Sequence, residues 1–392
     1  MTSRKAMVID DEPLMAEFIA DVLDEVGFSC EVACDARQAL QTLFKLRPEL
    51  LVLDLVMPGM DGIEVIRHIA DAGLRDVQLV LVSGHDVAVL RSAEQVARER
   101  SLRVVGVLQK PLRLSQLVEK FENVELASAQ PADQISDEQL AAQLPEVIAR
   151  QQIEVHYQPQ VALDSGEVVG VEALARWQHP TYGFVPPARF IPFAEQHGLV
   201  KALTDTVLRR TFDDLNQWRR EGYRFSASVN ISGAYVDDLG LPERLEKQLW
   251  EVGLQPSDVR MELTETAVME DLANSMDILT RLRLRGFALS IDDFGTGYST
   301  FIQLHRIPFT EIKIDRSFVH LINEENDARA IVESTIMLAD RLGMVSVAEG
   351  IEHSTQFSAM RTLGCERAQG YHIARPMAAR DISPWIQQWS SA

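Results

Sequence analysis

Short apolar runs that end on an acidic or amide residue recur along nearly the whole chain, separated by amphipathic stretches of helical period. Strands that alternate with helices cannot pair through tight turns. They must lie parallel, with the helices covering the sheet. This pattern commits the chain to the α/β class.

In the first part of the chain the strand candidates are Ala6–Ile9, Glu31–Ala33, Leu50–Leu53, Leu79–Val82 and Val104–Leu108. Helical patterns cover Pro13–Glu25, Ala36–Lys45, Gly62–Ala72 and finally Leu114–Phe121. A doubly wound sheet is expected. Glu125–Gln139 then loses its apolar period and becomes rich in Ala, Ser, Gln and Asp around Pro131, as a linker running into a short helix does. The chain is therefore read as one domain over 1–124, a linker over 125–136 and a second domain over 137–392.

The second domain has the length of a single (β/α)8 barrel. Its strand candidates are Glu154–Leu163, Val168–Trp177, Phe225–Ile231, Val259–Thr264, Ala288–Asp292, Glu311–Ile314, Val345–Glu349 and Arg367–Ile373. Asp164-Ser165-Gly166 joins the first two as a hairpin turn rather than a helical crossover. A modified TIM barrel with one antiparallel strand follows.

With 392 residues, 46% of them hydrophobic and 24% charged, the chain has room for two well-packed domains. Its formal charge of −20 argues against gripping nucleic acid through the phosphate backbone. A phosphate ligand is still within reach if divalent cations stand between it and the carboxylates. No apolar run is long enough to span a membrane, and the start, MTSRKAMVIDDEP, has no signal-peptide core. Cys30, Cys34 and Cys365 have no metal-ligand spacing. The cytoplasm is the expected compartment.

Asp10 and Asp11 close the first strand and Asp54 closes the third, so all three come to one carboxyl edge of the sheet, where ligands bind. Such a cluster repels itself unless a cation joins it, and oxygen ligands favour Mg2+. Ser83 after the fourth strand and Lys110 after the fifth are suited to phosphoryl oxygens. In order, IDDEP, LDLVMPGMDG, VSG and QKP resemble the response-regulator receiver family. The resemblance implies a flavodoxin-like domain in which Asp54 accepts a phosphoryl group from a sensor histidine kinase. Asp10 and Asp11 would bind Mg2+ there, while Ser83 and Lys110 would form the switch. Two positions depart from the family: Val107 and Leu112 stand where aromatic residues are usual, so the signal is expected to leave by another route.

In the second domain Glu172, Asn230, Glu262, Asp292, Asp293, Lys313, Glu349 and Gln369 fall at the ends of different strands, the face where such barrels carry their sites. So many carboxylates cannot all ionise together without compensation. Oxygen ligands select hard ions such as Mg2+ or Mn2+. The adjacent pair Asp292-Asp293 suits two ions roughly 3.5–4 Å apart that activate a water for attack on phosphorus.

The segments EAL with Arg176, VNIS, ELTE, DDFGTGYS, KIDRSF, EGIE and QGY together resemble the EAL phosphodiesterase family. The resemblance implies metal-dependent hydrolysis of cyclic di-GMP to linear pGpG, commonly by dimers or tetramers. It places Glu172, Asn230, Glu262 and Asp292 on a first ion, and Asp292, Asp293 and Glu349 on a second ion and its water. Glu349 would also accept a proton, and Lys313 would contact water and phosphate. Gln158, Leu174, Arg176, Asn230, Asp292, Lys313 and Gln369 would meet the substrate. Glu265 and Glu352, with Gly295 and Gly297, would steady the loop Asp293–Ser299. Thr300 and Phe301 replace the family's usual Ser-Leu.

The rival readings are a catalytically silent cyclic di-GMP receptor and a signalling scaffold. No acid, amide or lysine of the set is missing, which favours the enzyme.

Overall fold

The computed structural model describes residues 4–75, 77–84, 87–100, 102–114, 117–118, 120–121, 135–236, 238–270, 272–295 and 306–390. The chain forms two compact units, Met1–Ala132 and Asp133–Ala392. All but Ile135 and Ser136 of the expected linker over 125–136 lies outside the described residues.

The first unit holds five parallel strands: β1 (Arg4–Ile9), β2 (Phe28–Ala33), β3 (Leu50–Asp54), β4 (Gln78–Ser83) and β5 (Arg103–Gln109). Their order is β2-β1-β3-β4-β5, with helices α1 (Pro13–Glu25), α2 (Ala36–Leu46), α3 (Gly62–Asp71) and α4 (Val87–Glu99) between them. Both faces of the sheet are buried, so the strands read as unbroken apolar runs. Met7, Ile9, Leu51, Leu53, Leu79 and Leu81 belong to one core. Their neighbours in sequence, Ala6, Val8, Leu50, Val52, Val80 and Val82, belong to the other. Leu117 and Phe121 of the expected last helix join that second core, while residues 115, 116 and 119 lie outside the description. Strand order reverses between β1 and β3, which brings the ends of those two strands side by side.

The second unit opens with α5 (Asp137–Ala149), where Ser136 and Gln139 form a reciprocal capping box. Eight strands then close a barrel: β6 (Glu154–Ala162), β7 (Val168–His179), β9 (Ser226–Asn230), β10 (Val259–Thr264), β11 (Ala288–Phe294), β12 (Glu311–Ile314), β13 (Val345–Ala348) and β14 (Arg367–Ala368). The short β8 (Gly183–Val185) pairs with the far end of β7, and β15 (Met377–Ala378) pairs with β6. Strand β6 runs antiparallel to both its barrel neighbours, β7 and β14, and the other neighbouring barrel pairs are parallel. The hairpin turn closes with Gly166 at φ +74° and its N–H donating to the Ala162 carbonyl at 2.9 Å.

One expected strand is cut short. Over Arg367–Ile373 only Arg367–Ala368 is strand, because Gly370 lies against the backbone of Ile351 and the chain turns there. A Cβ on Gly370 would come within 2.1 Å of the Ile351 carbonyl oxygen, so only glycine allows the approach. The Ile351 N–H donates to the Gln369 carbonyl, and this tie fixes the end of β14 at the barrel mouth.

Alternate residues of the barrel strands meet in the interior, and many are polar. Arg260, Glu311 and Arg367 form one ion-paired layer; Glu172, Glu262 and Lys313 form another nearer the strand ends. The apolar residues between them, such as Met261, Leu263, Ile312 and Val229, face outward into the core beneath the helices.

Candidate active site

At the first unit's carboxyl edge, Lys110 Nζ stands 2.7 Å from Asp54 Oδ2, 3.0 Å from Asp10 Oδ2 and 3.3 Å from Glu12 Oε1. Burial alone lowers the Lys110 pKa, but Asp54 and Asp10 outweigh it and hold the ammonium above its ordinary value. Burial also raises the Asp10 carboxyl. Oxygens of Asp10, Asp11 and Asp54 all lie within 4.8 Å of one another, a grouping that suits a divalent cation. Ser83 is fully buried at the end of β4, and its carbonyl accepts from the Lys110 N–H at 2.8 Å. Thus the structure brings together Asp10, Asp11, Asp54 and Lys110, with Ser83 tied to them through the backbone. Val107 and Leu112 pack partly buried against opposite cores of this unit.

At the barrel's strand ends a single buried ammonium organises the acids. Lys313 Nζ lies 2.6 Å from Glu349 Oε1, 2.9 Å from Glu262 Oε2, 3.0 Å from Asp292 Oδ1 and 3.8 Å from Glu172 Oε2. Lys313 and Glu262 are almost wholly enclosed. Burial by itself lowers the lysine's pKa; Asp292, Glu172, Glu262 and Glu349 overcome that and keep it well above its usual range. Glu349 is pushed well up by burial and by Asp292 and Glu172, against the pull of Lys313. The Glu262 carboxyl rises to about 8, first through burial and then through Glu172 and Asp292, with Lys313 opposing.

Two neighbouring aspartates reach one mouth because β11 is bulged. Ile291 faces Ile312 and Phe294 faces Ile314, so Asp292 and Asp293 together oppose the single residue Lys313. In a regular strand neighbouring side chains point to opposite faces. A bulge re-aims them, and Asp293 takes up the turn at φ +53°, a left-handed conformation that Asp tolerates. Oxygens of Asp292, Asp293 and Glu349 then all lie within 4.8 Å of one another. Burial, Asp292 and Asp315 lift the Asp293 carboxyl to about 6.

Glu172 is held from two sides. Asn230 Nδ2 donates to its Oε1 at 2.8 Å, and Gln369 Nε2 donates to its Oε2. Gln369 also donates to Gln158 Oε1 at 3.0 Å. Glu262 Oε1 is buried with no hydrogen-bond partner among the described residues. A carboxylate oxygen left bare in the interior is costly, and an all-oxygen set with one open, buried acceptor fits a divalent cation.

A cavity of about 230 Å³ opens over these groups, lined by Gln158, Glu172, Leu174, Asp292, Glu349 and Gln369, among others. Arg176 lies elsewhere. It lines a neighbouring, more apolar space of about 310 Å³ that Leu174 and Asn230 share. Gln160 and Arg260 were not among the sequence candidates, yet they connect to Gln369 from below. The alternation of Gln158 and Gln160 along β6 was the available signal. Glu265 is buried at the start of the helix after β10, and Glu352 lines the mouth. Gly295 takes φ +98°, with its Cβ position 3.1 Å from the Phe318 ring. Gly297, Thr300 and Phe301 lie outside the described residues.

Residues 141–376 match the EAL domain family and residues 6–122 match the response regulator receiver domain family. The cyclic di-GMP phosphodiesterase RocR of Pseudomonas aeruginosa is 33% identical over 387 residues, covering 96% of this chain and 97% of RocR. The cyclic di-GMP phosphodiesterase PA2567 of the same species is 36% identical over 59% of this chain and 40% of its own length. Among solved structures, the PaMucR phosphodiesterase in complex with c-di-GMP shares 37% identity and a TM-score of 0.60, covering 62% of this chain and 99% of that one.

In the absence of divalent ions Glu262 makes stability depend on pH. Its carboxyl titrates at about 8 when folded, against an ordinary value of 4.5. Its contribution is therefore fully present below the ordinary value and is lost as pH rises through about 8. Thermal unfolding in a chelator should show the midpoint falling from pH 6 to pH 8.5, and Glu262→Gln should remove part of that fall. The same fall in both proteins would clear Glu262 as its source.

Proposed function

The chain belongs to the EAL family, with a receiver domain of the response regulator family ahead of its EAL domain, and from that membership we propose that it hydrolyses cyclic di-GMP to linear pGpG under the control of Asp54 phosphorylation. The observation that carries this reading is the enclosed Lys313 ammonium ringed by Glu172, Glu262, Asp292 and Glu349, beside the Asp292-Asp293-Glu349 trio.

Glu172, Asn230, Glu262 and Asp292 are assigned to a first Mg2+ or Mn2+ ion, and Asp292, Asp293 and Glu349 to a second. Such ions polarise a phosphate and raise the acidity of a water. The chain's own residues do the rest. Glu349, deprotonated once the ions are held, takes the proton from the attacking water. Lys313 is held cationic by its acids and directs its charge to the phosphate as negative charge develops. Gln158 and Gln369 orient the substrate in the mouth, with Leu174 lining both cavities and Asn230 and Arg176 in the second. Glu265 and Glu352, with Gly295 and Gly297, support the loop beside Asp293.

In the receiver, Asp10, Asp11 and Asp54 are assigned to Mg2+. A phosphoryl group on Asp54 would draw Lys110 from its present ion pairs and engage Ser83. A sensor histidine kinase is the expected donor. We assign 1–124 to the receiver, 125–136 to the linker and 137–392 to the EAL domain, working as a dimer or tetramer in the cytoplasm. No described helix is long and apolar enough to cross a membrane.

Purified protein should convert cyclic di-GMP to pGpG with Mg2+ or Mn2+ and not in a chelator, as followed by chromatography of the nucleotides. Glu172→Ala should abolish turnover while leaving the unfolding transition in place. Binding without cleavage under either ion would favour the silent receptor instead. Treatment with a small phosphodonor should change turnover or assembly in wild type and leave Asp54→Ala unaffected; equal responses would remove Asp54 from the control.

A further inference from the structure

Beneath the acids lies a polar layer that the proposed chemistry leaves unused. Arg260 is 5% exposed. Its Nε stands 3.2 Å from Glu311 Oε2, an oxygen that also accepts from Arg367 Nη1 at 2.8 Å. Ser290 Oγ donates to the other Glu311 oxygen at 3.0 Å. The guanidinium is thus clamped at one end. At its other end, Nη1 donates to Ser228 Oγ at 3.0 Å and to Gln160 Oε1 at 3.3 Å. Gln160 Nε2 in turn donates to Gln369 Oε1 at 2.9 Å, and Gln369 Nε2 donates to Glu172.

A glutamine amide has a donating end and an accepting end, and its neighbours decide which way each faces. A guanidinium only donates, and a carboxylate only accepts. Arg260 therefore turns the Gln160 oxygen toward itself, which leaves the Gln160 NH2 facing Gln369. Gln160 imposes the same orientation on Gln369, and Gln158, whose NH2 donates to the Ala374 carbonyl at 2.9 Å, supports it by accepting from Gln369; the Gln369 NH2 is then presented to Glu172. Reversed, the chain would set the Gln369 oxygen against the Glu172 carboxylate. Gly170 lies opposite Gln160 in the strand register, and a Cβ there would come within 3.0 Å of Gln160 Oε1. The wall is bare where the chain of bonds passes.

We propose that Arg260 and Gln160 are positioning residues that set the polarity of a two-glutamine relay and thereby hold Glu172 in the orientation its site requires. The inference rests on the reading of Glu172 as part of the ion-holding site. Partners behind metal ligands commonly matter by about 10–100-fold in metal affinity or activity.

The test compares wild type, Gln160→Glu and Gln160→Leu as full-length proteins. Mn2+ uptake is followed by the paramagnetic resonance of the free ion, alongside kcat and KM for cyclic di-GMP. The receiver cluster is the same in all three and gives a common background. Gln160→Glu keeps the shape and the bond to Arg260 but loses the donor, so a carboxylate faces the Gln369 oxygen and works against the orientation that Gln158 supports. It should bind Mn2+ about 10–100-fold more weakly in the barrel, with a matching loss in kcat. Gln160→Leu removes the donor without adding a repelling carboxylate, leaves Gln158 holding Gln369, and should lose less. A leucine variant as damaged as the glutamate variant, or more so, would indicate simple packing and overturn the relay; so would unchanged Mn2+ binding in both. If Gln160→Glu does not fold, Arg260→Gln carries the same test, since Glu311 keeps Arg367: it should weaken Mn2+ binding, and no change would overturn the proposal. A wild type that takes up no Mn2+ in the barrel and cleaves nothing would instead refute the underlying functional reading.

Discussion

One buried ammonium holds the second domain's mouth together. Four carboxylates face Lys313, three of them within 3.0 Å. Charges so enclosed are costly to desolvate, and removing one partner of a buried pair leaves the others uncompensated. Burial first, and then the excess of acid over the single lysine, drive Glu262 and Glu349 toward their protonated forms. The arrangement is over-supplied with acid, and a divalent cation is the compensation that an all-oxygen set accepts.

The fold serves this electrostatic problem. A closed barrel brings inward-facing positions of eight strands to one axis, and here much of that axis is polar where branched apolar layers are usual. Buried polar groups of this kind are tolerable only when bonded to one another. The layer of Arg260, Glu311 and Arg367 meets that condition, and through Gln160 and Gln369 it reaches Glu172. The bulge in β11 solves the complementary problem of turning two adjacent aspartates to the same side.

Much of this was legible in the residues alone. The strand candidates, the hairpin at Gly166 and the single antiparallel strand follow from apolar period and turn chemistry, and the structure has them, with the strand expected over Arg367–Ile373 cut to Arg367–Ala368. The acids and amides at strand ends were visible for the same reason, since the ends of parallel strands share one edge. What stayed hidden depends on side-chain direction. Period alone places Asp292 and Asp293 on opposite faces, and only the bulge overrides it. Arg176 shares a face of β7 with Glu172 and Leu174, four and two residues before it, yet lines the neighbouring cavity. Gln160 and Arg260 carry no motif, and their importance comes from distances of 3.3 Å and less across the barrel. Gly370, in turn, ends a strand that its sequence would continue, because a backbone contact leaves no room for a side chain.

Glu262 and Glu349 lean to their protonated forms when ion-free and give up protons when a divalent cation arrives. Calorimetric titration of Mn2+ at pH 7, repeated in buffers of different ionisation enthalpy, measures that exchange directly. With Glu262 titrating at about 8, wild type should release protons on binding, the release should shrink above that pH, and Glu262→Gln should release fewer. Mn2+ binding with no proton release at pH 7, or with the same release in the variant, would contradict it.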